Sequence, residues 1–160
     1  MPGAASSPTG PKGPSPHPSA FVTAPPRRVL FICLHNAGFS QMAEAMARTV
    51  APEGTEIWSA GQQPSPVHPL AIQAMKEMGL DLSGQHSKHL DDVPWQEMDT
   101  VVVVCGESAQ MFPEVGPGVR RVHWPLPDPG EVPESERLTA FREARDEIHW
   151  RVSSLWPSDD

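Results

Sequence analysis

Four short apolar runs along the chain have the length and the β-branched content of buried strands. They cover residues 29–32, 55–59, 99–104 and 119–124. The third run is apolar on both faces, which is typical of a central strand in a parallel sheet. Ala60 and Gly61 follow the second run, and we expect them to turn the chain away from it.

The segments between and after these runs have apolar residues three and four positions apart, which predicts amphipathic helices. The predicted helices cover residues 40–50, 69–79, 91–98 and 134–156. Ser40 is the expected N-cap of the first helix, Pro69 suits the first turn of the second, and Gly79 ends that helix. The core face of the first helix is formed by Met42, Ala45, Met46, Thr49 and Val50.

Strands that alternate with helices predict an α/β fold with an open, four-stranded parallel sheet flanked by helices on both faces. Ligands of such sheets bind beyond the carboxyl ends of the strands. Cys33 and Cys105 each directly follow a predicted strand, and the loop after residue 124 follows another. The sequence therefore predicts that both cysteines and this loop lie at one edge, which is the expected functional site.

Composition limits the domain organisation and the class of partner. Residues 1–26 contain eight prolines among Gly, Ser and Ala, which predicts a disordered tail before one domain over residues 27–160. The net charge of −8 and the lack of a basic stripe exclude a nucleic-acid-binding protein, and no run is apolar enough for a membrane span. Two cysteines without an export signal or zinc spacing indicate a reducing, cytoplasmic location.

Cys33 lies between a predicted buried strand and a predicted helix. The first N–H groups of a helix favour a thiolate and any anion bound above it, so Cys33 is a candidate nucleophile at the floor of an oxyanion-binding loop. The alternative is a small buried core residue, which is what a free cysteine usually is.

The residues around Cys33 carry a more specific pattern. Cys33 and Asn36 are followed by Ser40 and then by Gln-Met-Ala-Glu over residues 41–44. This pattern resembles the phosphate loop of low-molecular-weight protein tyrosine phosphatases and thiol-coupled arsenate reductases. His-Asn-Ala-Gly over residues 35–38 resembles the arsenate reductase branch more closely. The resemblance covers about residues 27–156 and implies that family's fold, with flavodoxin-type winding.

The resemblance implies roles for several residues. Cys33 is the implied nucleophile, Asp128 in Leu-Pro-Asp-Pro is the implied general acid, and Ser40 would hydrogen-bond the thiolate. The implied oxyanion loop consists of His35, Asn36, Ala37, Gly38, Phe39 and Ser40. Asn36 would hold the loop in shape, although Asn36 and Ser40 also suit a plain turn and N-cap, and Asp-Pro is a common turn.

In the family that the chain resembles, the position of Phe39 is occupied by the arginine that binds the oxyanion through two hydrogen bonds. Losing a bidentate, charge-assisted contact would cost about 3–6 kcal/mol, or on the order of two to four decades in binding. Arg120, Arg121 and Arg142 are candidates for a replacement.

Cys105 is the candidate second thiol. In the reductases that the chain resembles, two redox cysteines stand seven residues apart, and the second of these positions is Phe112 here. A disulfide between those two positions is therefore impossible, which leaves a Cys33–Cys105 disulfide or attack by an external thiol: thioredoxin, glutaredoxin or glutathione, or mycothiol. Cys105 as a core residue is the alternative.

Two further features concern the ligand. Gly130 rather than tyrosine follows Asp-Pro, which favours a small inorganic oxyanion such as arsenate, phosphate or sulfate over a phosphotyrosyl peptide. Lys88 stands where some members of the family have an acidic residue that binds potassium, so no metal and no bound cofactor are expected.

The residues therefore favour an enzyme that reduces arsenate to arsenite through Cys33. A catalytically weak or inactive relative that acts as an oxyanion-binding, arsenite-binding or regulatory module is the second interpretation, and a phosphatase for small esters is the third. All three use the Cys33 loop.

Overall fold

The computed structural model describes residues 25–104 and 116–157. The predictions for residues 1–24, for Cys105 and for Phe112 lie outside the described residues. Pro26, which belongs to the predicted tail, is buried, and its carbonyl accepts a hydrogen bond of 2.9 Å from Trp156 Nε1. The packed domain therefore includes Pro26.

Four parallel strands form one sheet. They are β1 (Arg28–Cys33), β2 (Glu56–Gly61), β3 (Thr100–Val104) and β4 (Arg120–Trp124), in the spatial order β2-β1-β3-β4. β3 is buried along its whole length and pairs in parallel with β1 and β4. The predicted open, four-stranded parallel sheet with a central apolar strand is confirmed.

Three α-helices connect and follow the strands. They are α1 (Phe39–Val50), α2 (Pro69–Lys76) and α3 (Arg137–Leu155). In the described part of the chain all three pack on one face of the sheet, against Val29, Phe31, Ile57, Val102, Val104 and Trp124. The opposite face is covered there by residues 90–98 rather than by an α-helix, with Leu90, Val93 and Met98 packed on Leu30, Ile32, Ala60, Val101 and Val103.

The structure corrects several element boundaries. Residues 91–98 form two 3₁₀ turns, Leu90–Asp92 and Trp95–Glu97, because Val93 precedes Pro94 and is extended (φ −123°, ψ 154°). α3 begins only at Arg137, after a separate 3₁₀ turn. β2 continues through Ala60 and Gly61, which were expected to form a turn.

α1 ends at Val50 as predicted, but its N-cap and the core face of its last turn differ from the prediction. Its N-cap is Gly38, and Ser40 lies inside the first turn with its hydroxyl bonded elsewhere, so the predicted N-cap was wrong. Met42, Ala45 and Met46 are buried as predicted. Thr49 and Val50 are exposed, because the last turn leads out to the exposed residues 52–54.

Candidate functional site

Cys33 ends β1 at the carboxyl edge of the sheet, where parallel α/β sheets bind their ligands. The Cys33 side chain is buried, with 8% of the residue exposed. Its Sγ lies 2.9 Å from Ser40 Oγ. The loop of residues 34–38 joins Cys33 to the first turn of α1 and closes over these two atoms.

The backbone of this loop turns three of its carbonyl groups outward, whereas the Asn36 carbonyl faces the buried amide of Gln41. Three of its carbonyl oxygens accept hydrogen bonds from the segment that follows β2. These bonds join the Leu34 carbonyl to Gln63 N, the His35 carbonyl to Ser65 N and the Ala37 carbonyl to His68 N, at 2.8, 3.0 and 2.8 Å. In a trans peptide the N–H is opposite the carbonyl, so the following N–H groups are directed into the loop. With the first N–H groups of α1 they form a cradle for an anion.

Asn36 is the centre of the hydrogen bonds beneath the loop. It is fully buried and has a left-handed backbone (φ +49°), which asparagine tolerates better than most residues. Its Nδ2 donates to Ser40 Oγ at 2.8 Å, and its Oδ1 accepts from Lys88 N at 2.8 Å. Because the Ser40 oxygen accepts from Asn36, its own hydrogen can be donated to the sulfur of Cys33. A hydrogen bond of this kind holds the sulfur at a fixed position below the loop.

Gln41 is a site residue that the sequence analysis did not select. It is fully buried, and its Nε2 lies 3.0 Å from each of three acceptors: Asn36 O, Asn36 Oδ1 and His86 O. Gln85 in turn donates from its amide to Gln41 Oε1. The sequence does contain a signal for this role: Gln41 is next to Met42, on the core side of an amphipathic helix. A side-chain amide that is buried there needs hydrogen-bond partners.

Gly61 allows the loop to approach the sheet. A Cβ at this position would lie 2.7 Å from Cys33 O, Leu34 O and Asn36 N. Its own N–H donates to Lys88 O at 2.9 Å. Gly61 is therefore held between the loop and residues 86–89, with no space for a side chain on the loop side.

Phe39 packs into the core. The residue is 8% exposed, and its ring lies edge-on to Phe141 of α3, with ring centroids 6.1 Å apart. At the position where the resemblance implies an arginine, this chain thus has an apolar side chain that stabilises the contact between α1 and α3.

The three arginines selected as replacements lie away from the loop. Arg142 forms an ion pair with Glu77, at 2.6 Å between Nη2 and Oε2. Arg120 begins β4, and Arg121 is next to it; their Cα partners are Thr100 and Val101. This is the amino end of β4, whereas Cys33 lies at the carboxyl edge, about 13 Å further along a strand of this length.

Asp128 lies after β4, at the same edge as Cys33. It is exposed and caps the 3₁₀ turn Pro129–Glu131, where its Oδ1 accepts from Gly130 N at 2.8 Å. This turn packs against α3. The cap uses Oδ1, and within residues 25–104 and 116–157 no hydrogen bond joins Asp128 to the Cys33 loop.

Lys88 and Glu44 form a charged group below the loop. Glu44 is 5% exposed; its carboxylate lies 2.6 Å from Arg48 Nη2, accepts from Ser59 Oγ, and lies 3.7 Å from Lys88 Nζ. Lys88 Nζ also donates to His86 O at 3.0 Å. Within residues 25–104 and 116–157 no cluster of three His, Cys, Asp or Glu side chains could hold a metal ion.

The structure brings most of the selected site residues together. Those in or around the loop are Cys33, His35, Asn36, Ala37, Gly38, Phe39 and Ser40. His35 is exposed, with Nδ1 2.9 Å from Gln63 O. Asp128 is at the same edge in a separate turn, and Cys105 is outside the described residues.

His68 connects the loop to α2 and gives a pH-dependent prediction. Its Nδ1 accepts from Leu70 N at 3.0 Å, and its pKa is lowered by burial of the ring and then by the positive charge of Arg137. A lowered folded-state pKa means that the stabilisation is present above about pH 6.5, the unfolded value, and is lost as the pH falls through the folded value.

We therefore expect His68→Asn, which keeps a cap acceptor but does not titrate, to flatten the fall in unfolding free energy between pH 7 and 5. After screening by solvent the difference should be below about 1 kcal/mol, measured by urea unfolding across this range. The exposed His149 on α3 offers the control His149→Asn, which should keep the parent's slope. An unchanged slope in His68→Asn would contradict the prediction.

The comparisons with known proteins agree with this geometry. Residues 28–158 match the family described as low molecular weight phosphotyrosine protein phosphatase. Arsenate reductases from Halalkalibacterium halodurans and Bacillus subtilis are each 37% identical over 129 residues, which is 79% of this chain and 93% of theirs. No helix in the described part of the chain is long and apolar enough to cross a membrane.

Solved structures give the same result. An arsenate reductase in the oxidized state has a TM-score of 0.70 at 33% identity, and one in the phosphate-binding state has 0.68 at 32%; both matches cover 81% of this chain and 95% of the other. A thioredoxin-dependent arsenate reductase of Corynebacterium glutamicum has 0.66 at 32%, over 86% of this chain and 64% of that one. The loop around Cys33, the four-stranded sheet and these matches together show that the chain belongs to the low molecular weight phosphotyrosine protein phosphatase family.

Proposed function

We propose that this protein is an arsenate reductase that uses Cys33 as its nucleophile. The observation that carries the proposal is the 2.9 Å contact between Cys33 Sγ and Ser40 Oγ at the floor of a loop that turns three of its carbonyls outward. Relatives that are named arsenate reductases and are 37% identical support it. One of the similar structures is in a phosphate-binding state, which supports a small tetrahedral oxyanion as the ligand.

In the first step, the Cys33 thiolate attacks the arsenic of arsenate and forms an S–As bond. One As–O bond breaks, and its oxygen leaves as water after a proton is supplied, for which Asp128 is the proposed donor. The N–H groups of the loop bind the remaining oxygens, and Ser40 and Asn36 hold the sulfur in place.

In the second step, a second thiolate attacks the sulfur of Cys33. A disulfide forms, the S–As bond breaks, and its electron pair remains on arsenic, which leaves as arsenite. Two thiols are thereby oxidised while As(V) becomes As(III). Cys105 is the proposed second thiol, with an external thiol as the alternative. The thioredoxin-dependent relative supports a redoxin as the final reductant, and a reducing cytoplasm suits such a reaction.

The direct test is arsenate-dependent NADPH oxidation by the full chain. Thioredoxin, glutaredoxin with glutathione, and mycothiol systems would be supplied in turn, with and without Cys105→Ser. We expect turnover with at least one system. Turnover that survives Cys105→Ser would assign the second step to the external thiol, and no turnover with any system would overturn the proposal.

The burial of Phe39 supports one alternative, a weak relative that binds oxyanions or arsenite. A ligand that binds only the folded state raises the melting temperature. If arsenite raises the melting temperature while arsenate and phosphate do not, the protein is an arsenite-binding relative and not an arsenate reductase. Protection by arsenate or phosphate would exclude a protein that binds only arsenite, and the NADPH assay would then separate an active reductase from an inactive oxyanion-binding relative.

We also infer that the Lys88 ammonium takes the place that the resemblance gives to potassium, since it lies 3.7 Å from Glu44 Oε1 and donates to His86 O. Turnover should then be equal, within about twofold, in potassium and sodium buffers of the same ionic strength, because a covalently attached charge is not exchanged. Activation by potassium would contradict this. We place the activity in the domain predicted over residues 27–160 together with Pro26, with residues 1–25 not required.

A further inference from the structure

We propose that Arg137 contacts the bound oxyanion through its guanidinium group. It would replace the contact that the family's loop arginine makes and that Phe39, at the same position, cannot make. The inference rests on the proposed function, because it concerns the oxyanion held above Cys33. Arg137 was not selected from the sequence; the position of α3 identifies it.

The first turns of α3 pass close to the end of the loop at Gly38. β4 ends at the carboxyl edge, so α3 starts at that edge and runs back across the sheet. Phe141 fixes how closely it passes the loop, because a Cβ built on Gly38 would lie 3.4 Å from Phe141 Cε1. Phe141 therefore marks the position along the α3 axis at which the helix passes Gly38, the last residue of the loop.

Arg137 precedes Phe141 by four residues, so the two side chains lie on the same face of α3. One turn corresponds to about 6 Å along the axis towards the carboxyl edge. Helical side chains also lean towards the N-terminus of their helix. Arg137 therefore lies about one turn beyond the Gly38 contact, on the carboxyl-edge side where Cys33 ends β1.

A second observation places the same charge near the loop. The N–H of His68 donates to Ala37 O at 2.8 Å, and its ring centroid lies 4.8 Å from that of Phe141. The positive charge of Arg137 is one cause of the lowered pKa of this ring, after burial. Because the charge of Arg137 affects the pKa of His68, Arg137 lies close to a residue whose backbone is hydrogen-bonded to the loop.

The guanidinium has donors left for a ligand. Arg137 is half-buried, and its Nε donates to Val132 O at 3.3 Å. Arg142 and Arg145 on the same helix each form ion pairs, whereas no carboxylate among residues 25–104 and 116–157 is paired with Arg137. A guanidinium with one N–H used can still present a fork of N–H groups to an oxyanion.

The contact with Val132 links this arginine to the proposed general acid. Val132 ends the 3₁₀ turn that Asp128 caps. An oxyanion bound by Arg137 is therefore in contact with a side chain that is tied to the turn carrying Asp128.

The test is isothermal titration of phosphate and arsenate into the full chain and its variants. We expect Arg137→Ala to raise the Kd for both anions about 10- to 100-fold and Arg137→Lys to raise it less, since lysine keeps the charge but not the fork. The matched control is Arg142→Ala, which removes the same charge from the same helix and should change Kd less than about twofold. Urea unfolding of each variant would show that the domain remains folded.

A second variant separates binding from a structural role. In a Phe39→Arg background the family's arginine is restored, so adding Arg137→Ala should cost less than about threefold in Kd, because the fork is again available. A merely structural role would give the same loss in both backgrounds and would overturn the inference, as would an unchanged Kd in Arg137→Ala.

The two proposals can fail separately. Arsenate turnover by the parent and by Arg137→Ala with equal kcat/KM would overturn the inference and leave the reductase standing. Oxyanion binding that depends on Arg137, without arsenate turnover by the parent, would overturn the reductase and support the inference. A parent that binds neither anion would overturn the inference, and the NADPH assay alone would then decide the function.

Discussion

Cys33→Ser is expected to lower arsenate-dependent NADPH oxidation by at least ~10⁴-fold, as the loss of a nucleophile does in other enzymes. The hydroxyl that replaces the thiol can still hydrogen-bond Ser40, 2.9 Å away in the parent, so the loop should keep its shape. It cannot form a disulfide, however, so the step that leaves two electrons on arsenic is lost. The measurement is the initial rate of arsenate-dependent NADPH oxidation, with the thiol system that supports turnover by the parent protein.

Two further measurements would show that the loss of turnover does not come from lost oxyanion binding or from unfolding. Cys33→Ser should still bind phosphate with a Kd within about threefold of the parent, because the N–H cradle of the loop is backbone. It should also unfold within about 1 kcal/mol of the parent, because the change in volume is small. A Cys33→Ser variant that retains more than a hundredth of the parent rate would exclude Cys33 as the nucleophile.

Gly61→Ala is expected to have the largest effect on stability, about 3 kcal/mol. The added Cβ would lie 2.7 Å from two carbonyl oxygens and a backbone nitrogen, a separation that requires the backbone to move. The atoms that must shift belong to the loop that holds Cys33, so arsenate turnover should fall as well. Urea unfolding and the coupled assay measure the two effects.

The matched control is Gly84→Ala. Gly84 is exposed, has no atom within 4 Å of a built Cβ, and gains the same methyl group. We expect its unfolding free energy to stay within about 0.5 kcal/mol of the parent, with unchanged turnover. If Gly61→Ala behaves like Gly84→Ala, the close approach of loop and sheet is not what requires glycine at this position.

The sequence was sufficient for the sheet and for the position of its reactive edge. The apolar run of β3 could only be a central strand, and the alternation with amphipathic segments led to a parallel sheet. It was less informative at the ends of elements. Pro94 divided a segment that was expected to be one helix, and Ser40 suited an N-cap but makes its hydrogen bonds with Asn36 and Cys33.

The same division holds within the site. Cys33, Asn36 and Ser40 are within eight residues of one another, so local sequence determines that they meet. Gln41 with His86, Gly61 with the loop, and Phe39 with Phe141 are contacts between distant segments, which hydrophobic periodicity does not encode. Composition could name several arginines as replacements for the one missing at Phe39. None of those named is Arg137, which only the packing of α3 against Gly38, through Phe141, indicates, because that choice depends on where a helix about a hundred residues further along the chain crosses the sheet.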